Sequence, residues 1–246
     1  ADGQTYNVAI GYQAGKAMTT GTGNQLMGGL AGDALTTGSN NVAIGQEALT
    51  TEDTGSRNTA VGNGTLATLN YDGNGYNTAV GFDAGGSVTT GVQNTLIGGL
   101  AGDAITTGSW NTFLGYNAGT NLTTGETNTG LGIRALASAT TATGNVAIGG
   151  EAGDDITTAT NNTVVGLIAG TDLTTGIDNS FFGKGAGANT TTSNFNTAVG
   201  RDALFTNTTG QQNVAVGTAA LYYCTTGNYN VAVGKSALDA LTTAEN

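Results

Sequence analysis

The chain has 246 residues, a formal net charge of −11, 43 Gly, no Pro, no His and one Cys. The absence of Pro, and of Gly at every third residue, excludes a collagen triple helix. Regularly spaced hydrophobic residues make up 38% of the chain and argue against disorder. These features favour a repeat architecture.

In chain order, the sequence is an array of one repeat, which begins with Asn and has Gly four residues later. Every interval between these Asn residues is 17 residues, except for one of 19. Such a fixed period predicts a solenoid, here a single repetitive domain over residues 1–246. Its coils start at Asn7, Asn24, Asn41, Asn58, Asn77, Asn94, Asn111, Asn128, Asn145, Asn162, Asn179, Asn196, Asn213 and Asn230.

We number each coil from its Asn as position 1. Short β-branched and apolar residues between Asn and Gly predict a strand followed by a turn, so we expect an all-β fold, a parallel β-solenoid (β-roll) of 14 coils. Position 4 is apolar in every coil, which predicts an interior column there. Position 3 would then face a second chain or another strand. Thr-Thr-Gly is expected to end a second short strand.

The repeated Asn and Gly are interpreted as structural residues. Gly permits the positive φ of a tight turn, and stacked Asn side chains can hydrogen-bond from coil to coil as an amide ladder. The clearest members of this predicted ladder are Asn7, Gly11, Asn41, Gly45, Asn145 and Gly149.

Several kinds of chemistry are not predicted. Without His, no Ser–His or Cys–His nucleophile can form, and we expect no enzyme, no cofactor and no metal site. Asp154 and Asp155 offer too few oxygens for calcium. The six Lys and Arg are scattered, which argues against nucleic-acid binding, and no apolar run approaches the ~20 residues of a membrane helix. Cys224 falls in an apolar column 11 residues after each Asn and is expected to be a small buried residue.

Aromatic residues supply the candidate contact sites. The 19-residue coil carries an insertion with Tyr71 and Tyr76, and further aromatics directly precede the Asn, including Trp110, Phe195 and Tyr229. They could bind a cell-surface glycan or receptor. Packing between neighbouring turns is the alternative interpretation.

The Asn-Val-Ala-Ile-Gly cores at 7–11, 41–45 and 145–149 resemble the YadA-like head repeats of trimeric autotransporter adhesins. The phrase at 196–204 resembles repeats of phage-type tail-fibre proteins. The resemblance covers nearly the whole chain. It implies a left-handed parallel β-roll, three chains side by side, and a role in surface attachment.

We therefore expect a structural or adhesive fibre segment of a phage tail fibre or bacterial surface adhesin, at the cell surface, on a virion or otherwise outside the cell. Two alternatives stay open. The chain begins and ends near coil boundaries without an obvious polar cap, which would suit a subunit that stacks end to end into a filament. The other is an ice- or glycan-binding solenoid, in which the repeated Thr would bind ice or the aromatic residues before the Asn would bind a glycan.

Overall fold

The computed structural model of the chain describes residues 5–243, and its regular secondary structure consists of short parallel strands, with no helix in that range. The strands are β1 (Val8–Ile10), β2 (Gln25–Met27), β3 (Val42–Ile44), β4 (Thr59–Val61), β5 (Thr78–Val80), β6 (Thr95–Ile97), β7 (Thr112–Leu114), β8 (Thr129–Leu131), β9 (Val146–Ile148), β10 (Thr163–Val165), β11 (Ser180–Phe182), β12 (Thr197–Val199), β13 (Val214–Val216) and β14 (Val231–Val233). The predicted all-β class and the parallel β-solenoid with a repeat of 17 residues are confirmed.

The chain forms two compact units, Ala1–Thr124 and Gly125–Asn246. In the first unit, each strand from β1 to β7 pairs in parallel with the next strand along the chain. The second unit repeats this arrangement from β8 to β14. Within both units the register joins identical coil positions, for example Thr163 to Ser180. Each coil therefore contributes one strand to a stack.

The Gly at position 5 ends the strand because no other residue fits there. Gly149 has φ +135, a backbone conformation that favours Gly. A Cβ at this position would lie 2.5 Å from the carbonyl oxygen of Gly166 in the next coil. The close approach of successive coils thus depends on the missing side chain as well as on the unusual φ.

The strand turns position 3, rather than position 4, towards the inside of the coil. Ala43, Leu96 and Phe113 at position 3 are completely buried, whereas Leu114 at position 4 is 47% exposed and Phe182 is 42% exposed. The prediction that position 4 forms the interior column is therefore wrong. The coil is thin, and most coils accordingly have the small residue Ala or Gly at the inward position 3.

The second interior column lies at position 12, where Leu35, Ile105 and Ile156 are fully buried. Cys224 occupies this column and is buried, as predicted. The expected second strand is absent from residues 5–243: the Thr-Thr-Gly segments form bends. In the first coil the backbone N–H groups of Thr19 and Thr20 both donate to the Thr36 carbonyl, at 2.9 and 3.2 Å, a pattern that a parallel ladder does not have.

Inside the coil, the sizes of the side chains at positions 3 and 9 are related. Position 9 has positive φ in every coil and holds either Gly or Leu. Where position 3 is large, as in Phe113 or Phe181, position 9 is Gly, namely Gly119 or Gly187. A Cβ on either Gly would overlap the facing ring. Where position 9 is Leu, position 3 is Ala or Gly. The two positions are therefore never both large. Three coils combine Ala with Gly, and there side chains of neighbouring coils reach the space beside the Gly, as Leu66 and Leu96 do at Gly85.

Candidate functional site: an outer sheet face and its two rims

Hydrogen bonds of the position 1 Asn side chains hold the regular spacing of the strands, and these side chains are buried in nearly every coil. Asn145 illustrates the geometry. Its Oδ1 accepts the backbone N–H of Asn162 at 3.0 Å, and its Nδ2 donates to the Ala159 carbonyl at 2.8 Å. The first bond joins one coil to the next, and the second joins the start of a coil to its end. Similar bonds run from Asn7 in the first unit and from Asn128 in the second.

In each unit, positions 2 and 4 of the strands form an outward surface, which we call the outer sheet face. Position 4 contributes only aliphatic or aromatic side chains, and position 2 contributes Val, Thr, Ser or Gln, so the face carries no charge. Its position 4 residues are exposed or half-buried. The best-exposed large residues in interior coils are Met27, Ile44, Leu114, Ile148, Phe182 and Val199. A parallel sheet with one such face open to solvent is unusual, because parallel sheets are normally covered on both faces.

One edge of the outer sheet face is the residue that directly precedes each Asn, which we call the entry rim. The predicted contact residues Tyr76, Trp110, Phe195 and Tyr229 all lie on it, together with Tyr6. All five have positive φ, between 49 and 61, and all are exposed, Trp110 at 50% and Tyr229 at 58%. The backbone conformation points these rings outwards, away from the coil interior.

Tyr71, the remaining predicted contact residue, lies in the insertion of the 19-residue coil and is 36% exposed. Its backbone N–H donates to Oε2 of Glu52 at 3.2 Å, and Gly55 N–H donates to Oε1 at 2.6 Å. In regular coils the N–H of this Gly reaches a Thr carbonyl of the next coil, as from Gly21 to Thr36. Glu52 replaces the apolar residue of position 12 and supplies the acceptor that the insertion displaces. Burial raises the pKa of the Glu52 carboxyl.

The opposite edge of the outer sheet face is the residue that directly follows each position 5 Gly, which we call the exit rim. It carries Tyr12, Phe82 and Tyr116, all more than half exposed. In the second unit it also carries Lys184, Arg201 and Lys235. Sequence reasoning missed this rim, although the residues stand at a constant offset of five from each Asn. Aligning the coils for exposed rather than interior columns would have revealed it.

The repeated Thr residues have two roles. The first Thr of each pair donates its hydroxyl to a carbonyl of the next coil, as Thr157 Oγ1 does to Thr174 at 3.2 Å. The second Thr, such as Thr107 or Thr158, is exposed. The second Thr residues lie in one column, and in the pairs Thr89 with Thr90 and Thr140 with Thr141 the first Thr is exposed as well.

The charged and nucleophilic side chains of the described residues include one partly buried ion pair and one buried thiol. Asp154 binds Arg134, with 2.6 Å between Oδ2 and Nη2, and this hydrogen bond raises the pKa of Arg134. Burial raises the pKa of the Cys224 thiol, which favours the unreactive protonated form. Among residues 5–243, no three His, Cys, Asp or Glu side chains are placed to hold a metal ion.

The same described range contains no helix long and apolar enough to span a bilayer. No family model, no curated protein and no solved structure matches the chain.

Proposed function

We propose that the chain is a non-catalytic fibre segment that associates with two further copies of itself through the outer sheet face. It would serve in a phage tail fibre or a bacterial surface adhesin, outside the cell or on a virion, where it spaces and presents a contact surface. The observation that carries this proposal is the uncharged, aliphatic outer sheet face, which a single copy leaves open.

The physical argument starts from the cost of exposing that face. Position 4 residues such as Leu114 and Ile148 gain about 25 cal/mol for each Å² removed from water. Position 2 holds the short side chains Thr or Val in every coil except those with Ser180 and Gln25. Apolar patches of more than a few hundred Å² on soluble proteins usually mark interaction sites.

The available area suits a stable association. Seven strands at ~4.8 Å spacing, with about six residues from rim to rim at ~3.3 Å each, give roughly 34 by 20 Å for each unit. That is on the order of 680 Å² for one unit, close to the ~800 Å² per partner of a standard interface. Three copies around one axis would cover the face of every chain, with no partner of another kind.

Light scattering on a sizing column tests the proposal, and three times the 24.2 kDa of one chain is the expected mass. Ile97→Lys and Ile148→Lys should each reduce the mass towards one chain, because a buried lysine in the seam is unpaired. Thr107→Lys and Thr158→Lys lie in the same two coils on the exposed Thr column, and these matched controls should remain trimeric.

Other outcomes favour the alternatives. A wild-type monomer would overturn the proposal and favour an ice- or glycan-binding solenoid, whose aromatic entry rim would then be the first surface to test on a glycan array. Very large species of variable length, visible as filaments by negative stain, would favour end-to-end assembly.

A further inference from the structure

The residues of the entry and exit rims match each other coil by coil. All three exit-rim aromatics belong to coils with an entry-rim aromatic. All three exit-rim cations belong to coils whose entry rim is acidic or aromatic. The matched pairs, each written as entry rim with exit rim, are Tyr6 with Tyr12, Tyr76 with Phe82, Trp110 with Tyr116, Asp178 with Lys184, Phe195 with Arg201, and Tyr229 with Lys235.

The two members of a pair do not meet within one chain. They stand at opposite ends of a strand, six residues apart, so up to about 20 Å of extended backbone separates them. Among residues 5–243, no hydrogen bond, ion pair or ring contact joins the two rims of any coil. Contacts along a single rim do occur, as between Trp110 Nε1 and Gln93 Oε1 at 2.8 Å. The matching across the strand therefore has no cause inside the single chain.

Rim residues also change together between similar coils. The coils starting at Asn7 and Asn77 carry an aromatic residue on both rims. The coil starting at Asn145 has Gly144 and Gly150 in the same two places. An exit-rim aromatic thus occurs only in a coil with an entry-rim aromatic, and where the entry-rim aromatic stands without one, at Phe195 and Tyr229, the exit rim carries a cation.

We infer that the entry rim of one copy lies against the exit rim of a neighbouring copy at the same coil level. The inference rests on the proposed self-association and specifies its register. In a closed assembly with its rotation axis along the direction of coil stacking, copies have no shift along that axis, so each coil faces its own equivalent. The end of a strand in one copy then meets the beginning of the equivalent strand in the next.

The chemistry at each level agrees with this register. Aromatic rings would pair with aromatic rings, Lys184 with Asp178, and Arg201 and Lys235 with the faces of Phe195 and Tyr229 as cation–π contacts. A shift of one coil would put Tyr76 against Gly99, or Phe82 against Gln93, and either direction removes every aromatic pair. The rim residues thus specify how neighbouring copies align along the stack of coils. The uniform aliphatic face between the rims does not specify this alignment.

Cross-linking of paired cysteines tests the register. The variant Tyr76→Cys with Phe82→Cys, treated with a short bis-maleimide, should give covalent trimers on a denaturing gel. The matched control, Tyr76→Cys with Tyr12→Cys, places the two thiols four coils apart, roughly 19 Å along the stack, and should stay largely unlinked. Wild-type protein controls for Cys224, which is buried.

Charge reversal tests the register independently in the second unit. Asp178→Lys and Lys184→Asp should each weaken association by roughly 2–5-fold for each ion pair, and the double variant should restore it. Equal weakening in the double variant would overturn the pairing.

The two hypotheses fail separately. A trimeric mass without matched cross-links would overturn the register and leave the proposed trimer intact. A dimeric mass with matched cross-links would overturn the trimer and keep the register, because a two-fold axis along the stack brings together the same rims. A monomeric mass would overturn both.

Discussion

The ring of Phe113 occupies the space that a side chain on Gly119 would need, and the two residues share one coil. The coil that starts at Asn196 has the reverse arrangement, with the small residue Ala198 at position 3 and the large residue Leu204 at position 9. Both arrangements keep position 9 at positive φ, so the backbone does not have to change between them.

This relationship predicts strong coupling between the two sites. Phe113→Ala alone should cost about 3–5 kcal/mol of unfolding free energy through the cavity it leaves, and Gly119→Leu alone should be destabilising through overlap. The double variant reproduces the Ala and Leu combination and should recover stability, with a coupling of about 2–3 kcal/mol in a urea denaturation cycle. Additive losses in the double variant would contradict the exchange of size.

The same pair explains which part of the fold could be predicted from sequence. The period, the number of coils and the position of each strand follow from the Asn at position 1 and the Gly at position 5. No other residue type replaces them in any coil, because each has a specific role in the backbone. The direction of the strand faces could not be predicted from hydrophobicity, because positions 3 and 4 are both apolar. Size decides instead: the coil is so thin that position 3 can be large only where position 9 is Gly.

The candidate site was predicted in part for a related reason. The aromatics of the entry rim were visible because they adjoin an invariant Asn. The exit rim mixes aromatic, aliphatic, cationic and small residues, so it shows no common residue type. The pattern on the exit rim becomes apparent only when each residue is compared with the entry-rim residue of the same coil, as for Lys184 and Asp178.

The Asn ladder yields a second prediction. Asn145→Asp keeps an acceptor for the Asn162 N–H but replaces the Nδ2 donor that faces the Ala159 carbonyl. The loss should exceed the ~1–3 kcal/mol of one broken buried hydrogen bond, because the new carboxylate is buried without a counter-ion. Thermal melting should show the decrease. The control is Asn161→Asp, which changes the exposed residue directly before Asn162. This variant should melt close to wild type.

Adjacent glycines provide a third prediction. Gly149→Ala combines an unfavourable φ with a Cβ that meets the Gly166 carbonyl, and should cost at least ~2–3 kcal/mol. At Gly150 the nearest atoms to a new Cβ are side-chain methyls of Leu167 and Ile133 at 3.3 and 3.4 Å. Gly150→Ala should therefore change the unfolding midpoint little. Similar losses for both variants would contradict the assigned close approach.

The fourth prediction concerns pH. Burial raises the pKa of Glu52 above its ordinary value of 4.5, so its carboxyl holds a proton more tightly in the folded chain than in the unfolded chain. Its contribution to stability is then fully present below pH 4.5 and is lost as pH rises through the folded pKa. The difference in unfolding free energy between wild type and Glu52→Gln should favour wild type more at pH 4.5 than at pH 8.

The measurement is a denaturant unfolding curve for both proteins at the two pH values. Subtracting one unfolding free energy from the other removes the contribution of the ionisable groups that both chains share. A difference that grows with pH would show that the hydrogen bonds from Gly55 and Tyr71 outweigh burial.

The insertion also sets the mechanical behaviour of its unit. Bonds between successive coils lie along the stacking direction, so tension in that direction loads all the bonds of one junction at once, and extension begins at the junction with the weakest set. At the 19-residue coil, Asn58 Oδ1 accepts the backbone N–H of Asn77 in the next coil at 3.2 Å, whereas the equivalent bond from Asn94 N–H to Asn77 Oδ1 is 3.0 Å long. Under load, the first unit would yield first between the coils that begin with Asn58 and Asn77.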